Sequence, residues 1–169
     1  MNQQTQYRIF ILLFVIFGSI SLLMSVCGKY WIKTTDLYSG LWEMCFHDVS
    51  HCKEVDTAKQ YWIPLVRGFM IAGLSLFGLA LLFFICLISS PKAFNSSVLS
   101  FIIGAGVCAS VVGMSIYTQY NSDTTNSYNY HWAYWLGWFG NVLMCCATGM
   151  AIHDARRPAS PYAEAERLR

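Results

Sequence analysis

Four apolar runs, each long enough to cross a bilayer, occupy more than half of this 169-residue chain. A membrane-spanning helix needs about 20 predominantly apolar residues. The runs extend from Ile9 to about Cys27, from about Leu65 to Ile88, from about Val98 to Thr118, and from about Trp132 to Ile152. The first and third carry no charge, the second has only Arg67 near its start, and Asn141 is the one strongly polar side chain of the fourth. Charged residues make up 12% of the chain, against roughly 25% in soluble domains. Too few charges remain to coat a globular surface, so the bilayer is the expected solvent. The chain reads as a single four-helix membrane domain over 1–169, with outer loops at about 28–64 and 119–131 and a tail at about 153–169. Arg8, the following apolar run and the small Ser25 and Cys27 also fit a signal peptide. The run exceeds the usual length of that apolar region, and it is expected to stay as an anchor.

Orientation rests on three signals. With both termini inside, the inner segments hold Arg8, Lys92, Arg156, Arg157, Arg167 and Arg169, and the outer ones Lys29, Lys33, Lys53, Lys59 and Arg67. The counts differ little, but the inner basic residues sit in shorter segments, where they weigh most. Tyr30, Trp31, Tyr61, Trp62, Tyr117, Tyr120, Trp132, Tyr134, Trp135 and Trp138 collect at one set of helix ends, as expected of an aromatic interface belt. Third, Cys45 and Cys52 lie in a polar loop, where a disulfide implies the secretory lumen or the cell exterior. The long loop is therefore expected outside and both tails in the cytosol. The sequon at Asn95 then faces the cytosol and carries no glycan.

The stretch SGLWEMCFHDVSHC, residues 39–52, is the densest polar motif. Cys45, His47, His51 and Cys52 could supply four zinc ligands. An oxidising loop favours a disulfide over that set, and a paired sulfur has no thiolate for nucleophilic work. Strands are expected near Lys29–Lys33, Tyr38–Phe46 and Cys52–Val55, as a short antiparallel sheet on the outer membrane face. Leu41 and Trp42 would pack between helix tops, with Gly40 permitting close backbone approach. Arg67 either caps the sheet or snorkels to the interface.

Trp31, Gly40-Leu41-Trp42, Cys45, Cys52 and Arg67 match, in order and with similar spacing, the W-GLW-C-C-R signature of the claudin superfamily. The chain resembles in particular the branch of peripheral myelin protein, the epithelial membrane proteins and the lens fibre membrane intrinsic protein. LVRGFMI at Leu65–Ile71, GMSIYT at Gly113–Thr118 and WAYWLGW at Trp132–Trp138 carry that likeness. The resemblance implies a mainly α membrane fold: a left-handed four-helix bundle with a small extracellular β-sheet held by one disulfide. The first-loop sequon of peripheral myelin and epithelial membrane proteins is absent, which leans toward a lens-fibre-type relative. The ending AEAERLR differs from the tyrosine-valine type of true claudins, so docking to junction scaffolds by that route is not expected.

Lipid offers helices little hydrophobic reason to associate, so small residues and interhelical hydrogen bonds are expected at the seams. Ala105, Ala109 and Gly113 form such a stripe, with Gly106 and Ser110 beside them, Gly18, Ser21 and Ser25 on the first helix and Gly68, Ala72, Gly73 and Gly78 on the second. Asn141 is expected to bond another helix, since an unpaired amide in hydrocarbon is costly. No paired carboxylates, phosphate cradle or nucleophile constellation point to catalysis. No metal, cofactor or nucleic-acid partner is implied. The expected role is non-enzymatic: side-by-side assembly in the plasma membrane, supporting cell–cell contact or membrane organisation, at cell junctions among other places. Tyr128 and Tyr130 are candidate contacts to a facing cell, or else interface anchors. Two other readings stand beside it. One is an auxiliary subunit of a larger channel or receptor; the other is a paracellular ion barrier or path tuned by Asp36, Glu43, Asp48 and Lys53. In the tail, Arg157 and Ser160 form a weak kinase pattern or, more simply, a basic contact to lipid.

Overall fold

The computed structural model describes residues 3–46, 52–89, 96–122 and 129–156. Four helices form the body: α1 (Gln3–Cys27), α2 (Ile63–Ser89), α3 (Ser96–Ser122) and α4 (Trp132–Arg156). In hydrocarbon every backbone polar group must be satisfied within its own segment, and a helix achieves this. Each helix is long and apolar enough to cross a membrane. Their outward faces confirm the solvent: Phe17 is 58% exposed, Leu82 61% and Phe101 77%. Such an apolar surface fits lipid, since soluble monomers seldom expose large contiguous patches of this kind. Inside lie Ile11, Leu22, Met70, Phe77, Ile103, Met114 and Met144, all with essentially no accessible surface.

Small residues set the closest helix approaches. Along the α1–α4 seam, a Cβ on Gly140 would lie 3.0 Å from the Gly18 carbonyl oxygen and 3.2 Å from Ser21 Cβ. One on Gly137 would lie 2.7 Å from Ser25 Oγ. On the α2–α3 seam, a Cβ on Gly73 would meet the Gly106 oxygen at 3.0 Å, and one on Gly106 would meet the Phe77 ring at 2.5 Å. The tight stripe on α3 therefore runs through Gly106, Ser110 and Gly113, with Ala105 and Ala109 half-buried beside it. Gly68 and Gly78 on α2 meet nothing within 4 Å and face outward. Asn141 is 3% exposed. It accepts a hydrogen bond from Ser110 Oγ on α3 and donates to the Gly137 carbonyl at 3.0 Å. That satisfies the amide and ties α3 to α4.

Five short strands stand at one end of the bundle: β1 (Ile32–Lys33), β2 (Leu37–Ser39), β3 (Glu43–Phe46), β4 (Cys52–Glu54) and β5 (Asn129–Tyr130). All pairings are antiparallel, in the order β4-β3-β2-β1-β5. Two details depart from the sequence reading. Tyr38–Phe46 is a hairpin instead of one strand, because Gly40-Leu41-Trp42 turns the chain and Gly40 N–H donates to Glu43 O at 2.9 Å. The second loop adds β5 beside β1, with Ile32 opposite Tyr130. The helices also run past the apolar limits. The last extends to Arg156, which places Asp154 inside a helix, 6% exposed.

Candidate functional site

Trp31, Gly40, Leu41, Trp42 and Arg67, all singled out in the sequence, converge where the sheet meets the helix tops. Trp31, with 0% exposure, begins the wedge. Its indole N–H donates to the Ser25 carbonyl at the end of α1, at 2.7 Å. Its ring stands edge-on to Tyr117 of α3 at 4.5 Å and to Tyr134 of α4 at 6.1 Å. One side chain thus touches three helices, and its indole shares the Ser25 carbonyl with the Gly28 N–H, 3.2 Å away.

The Gly-Leu-Trp turn is set from both sides. A Cβ on Gly40 would run into the Gly28 carbonyl oxygen and lie 2.9 Å from Lys29 Cα. These are backbone atoms with no room to yield, so only glycine fits. Leu41 is fully buried, and its carbonyl accepts a hydrogen bond from Arg67 Nε of α2 at 2.9 Å. Trp42 is 38% exposed; its indole donates to Val26 O of α1 at 2.9 Å, and the Arg67 guanidinium lies 4.8 Å over its ring. Arg67 therefore does cap the sheet, holding it by a hydrogen bond and a cation–π contact. The turn fastens the sheet to α1 and α2 as Trp31 fastens it to α1, α3 and α4.

Cys45 and Cys52 are cross-strand partners in β3 and β4 and are joined as a disulfide. The Glu43 carboxylate lies within 4.8 Å of both sulfurs. It is engaged by Lys29 Nζ at 2.8 Å, and that hydrogen bond, reinforced by charge attraction, raises the Lys29 pKa. Sulfurs bonded to each other offer no thiolate to a metal. His47, Asp48, His51, Asn95, Tyr128, Arg157 and Ser160 lie outside the described residues.

Register sorts the side chains between two faces. Ile32, Leu37, Ser39 and Met44 share one, and together with Trp62 and Tyr117 they border a cavity of about 250 Å³ above the helix tops. Lys33, Tyr38, Cys45, Cys52, Glu43 and Glu54 share the other by their pairing. Tyr130, a candidate contact residue from the sequence, is half-buried in the fold. Its ring stacks on Tyr134 at 4.1 Å, and burial raises its pKa, reinforced by Tyr134. Sequence reasoning missed the second loop's share in the sheet: His131 N–H donates to Trp31 O at 2.9 Å, directly behind β5. Tyr and Asn at a polar loop end were the only available signal.

Four long apolar helices carrying a disulfide-stapled, five-stranded antiparallel sheet define a multi-pass membrane protein with a claudin-type head. The chain belongs to the PMP-22/EMP/MP20/Claudin family, whose sequence pattern matches residues 6–151. It is similar to a Danio rerio protein described as a p53 apoptosis effector related to PMP-22. The two are 29% identical over 143 residues, covering 79% of this chain and 74% of the relative. The family is in general one of non-enzymatic, structural membrane proteins.

Proposed function

We propose that this protein organises the plasma membrane and supports cell–cell contact, with both termini in the cytosol and the sheet outside. The observation that carries the reading is the fastening of the sheet. Trp31, Leu41, Trp42 and Arg67 fix it to the helix tops, and the disulfide closes its far hairpin. A rigid face loses little conformational freedom when it meets a partner. Lys33 and Glu54 on the sheet are exposed, and Tyr38 is half-buried. Both signs of charge beside an aromatic ring suit a self-complementary contact. The polar second loop, whose sequence carries Tyr128 and Tyr130, adds a further candidate contact.

Side-by-side assembly belongs to the same proposal. Gly68 and Gly78 open the lipid face of α2 to close approach by another helix, and small residues are the usual means of helix association in lipid. That same face supports the second reading, an auxiliary subunit seated on a larger membrane protein. The ion-path reading has less support, because Glu43 is already engaged by Lys29. Two populations of non-adherent cells expressing differently coloured copies test the contact role. Accumulation at contacts only where both neighbours express the protein supports adhesion through the outer face. Even distribution at full surface expression removes it and leaves the auxiliary reading in front.

A further inference from the structure

A second feature lies at the far end of the bundle. Asp154 is the only carboxylate in the four helices, and Arg8 is the only cation in α1. They meet: Arg8 Nε lies 3.7 Å from Asp154 Oδ2, with the Asp154 side chain 1% exposed and that of Arg8 31%. One residue along each helix, Tyr7 stacks on His153, with ring centroids 5.7 Å apart.

A carboxylate is a poor choice here on stability grounds alone. The C-terminal end of a helix disfavours negative charge, and burying an ion pair often gains nothing over well-packed apolar side chains. What a buried charge pair can supply is choice of partner and register. This bundle needs such a choice. The α1–α4 and α2–α3 seams are both built from glycine and serine, so their packing chemistry distinguishes the pairs weakly. The described parts of α2 and α3 offer no charge at this end.

The ion pair also agrees with the seam in register. In an antiparallel pair, each step up one helix matches a step down the other. Arg8 with Asp154, Gly18 with Met144, Ser25 with Gly137 and Gly28 with Ala133 follow one such alignment. A slip of one helical turn moves one side of every contact by about 5.4 Å, which separates the charges.

We propose that the Arg8–Asp154 pair is a register lock that selects α4 as the partner of α1 and fixes their alignment when the last span joins the first. The test compares full-length Arg8→Asp, Asp154→Arg and the double exchange Arg8→Asp/Asp154→Arg by surface biotinylation. Asp154→Arg leaves basic charge at its end of the bundle intact, so its effect is separable from altered insertion. Each single reversal lowers surface delivery several-fold, since a modest loss of stability changes abundance by that much, and the exchange restores it to within about twofold.

Register is read separately by disulfide trapping, with Cys27, Cys86, Cys108, Cys145 and Cys146 replaced by alanine. Ser21→Cys with Gly140→Cys reports the native alignment, their Cβ positions being 3.2 Å apart. Ser21→Cys with Met144→Cys reports a slip of about one turn. Asp154→Arg shifts cross-linking from the first pair to the second, and the exchange shifts it back. Wild-type delivery in both single reversals overturns the lock, as does an exchange no better than the singles. An unchanged native cross-link in Asp154→Arg overturns the register claim even where delivery falls.

Discussion

At the scale of single residues, the head of this molecule depends on atoms that do two jobs. Trp31 fills the space between three helices and also pairs its buried indole N–H with the Ser25 carbonyl. Trp31→Phe keeps most of the filling and loses the hydrogen bond, an expected cost of about 1 kcal/mol. Trp31→Ala empties the site as well and is expected to cost about 3–5 kcal/mol. Thermal unfolding of the detergent-solubilised protein separates the two, and equal losses would mean that the ring does not fill the site. Cys52→Ser opens a loop with a sequence separation of 7. Its expected cost is about 2–3 kcal/mol from restored freedom in the unfolded chain. Under a reducing agent the wild type should fall to the same stability as the variant.

At the scale of elements, glycine position decides consequence. Gly106→Ala forces a methyl against the buried Phe77 ring and is expected to lower stability by about 1–3 kcal/mol. Gly78→Ala meets nothing within 4 Å, and by helix propensity it is neutral or gains up to about 1 kcal/mol. Similar losses in both variants would argue against this seam assignment. The helices were legible in the sequence because hydrocarbon imposes a minimum apolar length that little else imitates. The wedge residues were legible through a family signature, and the structure supplied their hydrogen bonds.

Other features lacked a local signal. The strand β5 is two residues, Asn129–Tyr130, paired with Ile32–Lys33 far away in the chain, and no periodicity marks it. Tyr38–Phe46 alternates like a single strand, yet the backbone contact at Gly40 makes it turn. On α3 the sequence offers Ala105 with Ala109 and Gly106 with Ser110 at the same four-residue spacing, and only the packing tells which row makes the closest approach. Asp154 looked like the start of a polar tail because the apolar run ends before it. Only the helix's continuation to Arg156 brings it against Arg8.

At the scale of the whole molecule, the proposed function makes the apolar bundle a foundation and the sheet the working surface. Lipid-facing side chains such as Leu82 and Phe101 hold the protein in the membrane. The aromatic residues at the sheet end, among them Trp132 at 44% and Trp135 at 60% exposure, suit the headgroup layer. Anchored in this way, the sheet would keep one orientation toward a facing cell. The measurement that tests this most directly is contact enrichment between two cell populations expressing Lys33→Glu/Glu54→Lys, compared with the wild type at equal surface level. Both positions are exposed on strands of the stapled sheet and outside its packing, so the variant should fold and reach the surface. The account predicts that wild-type chains gather where two expressing cells meet, and that the charge-reversed chains facing wild type gather several-fold less. Undiminished gathering of the variant against wild type would contradict it and move the contact away from the sheet.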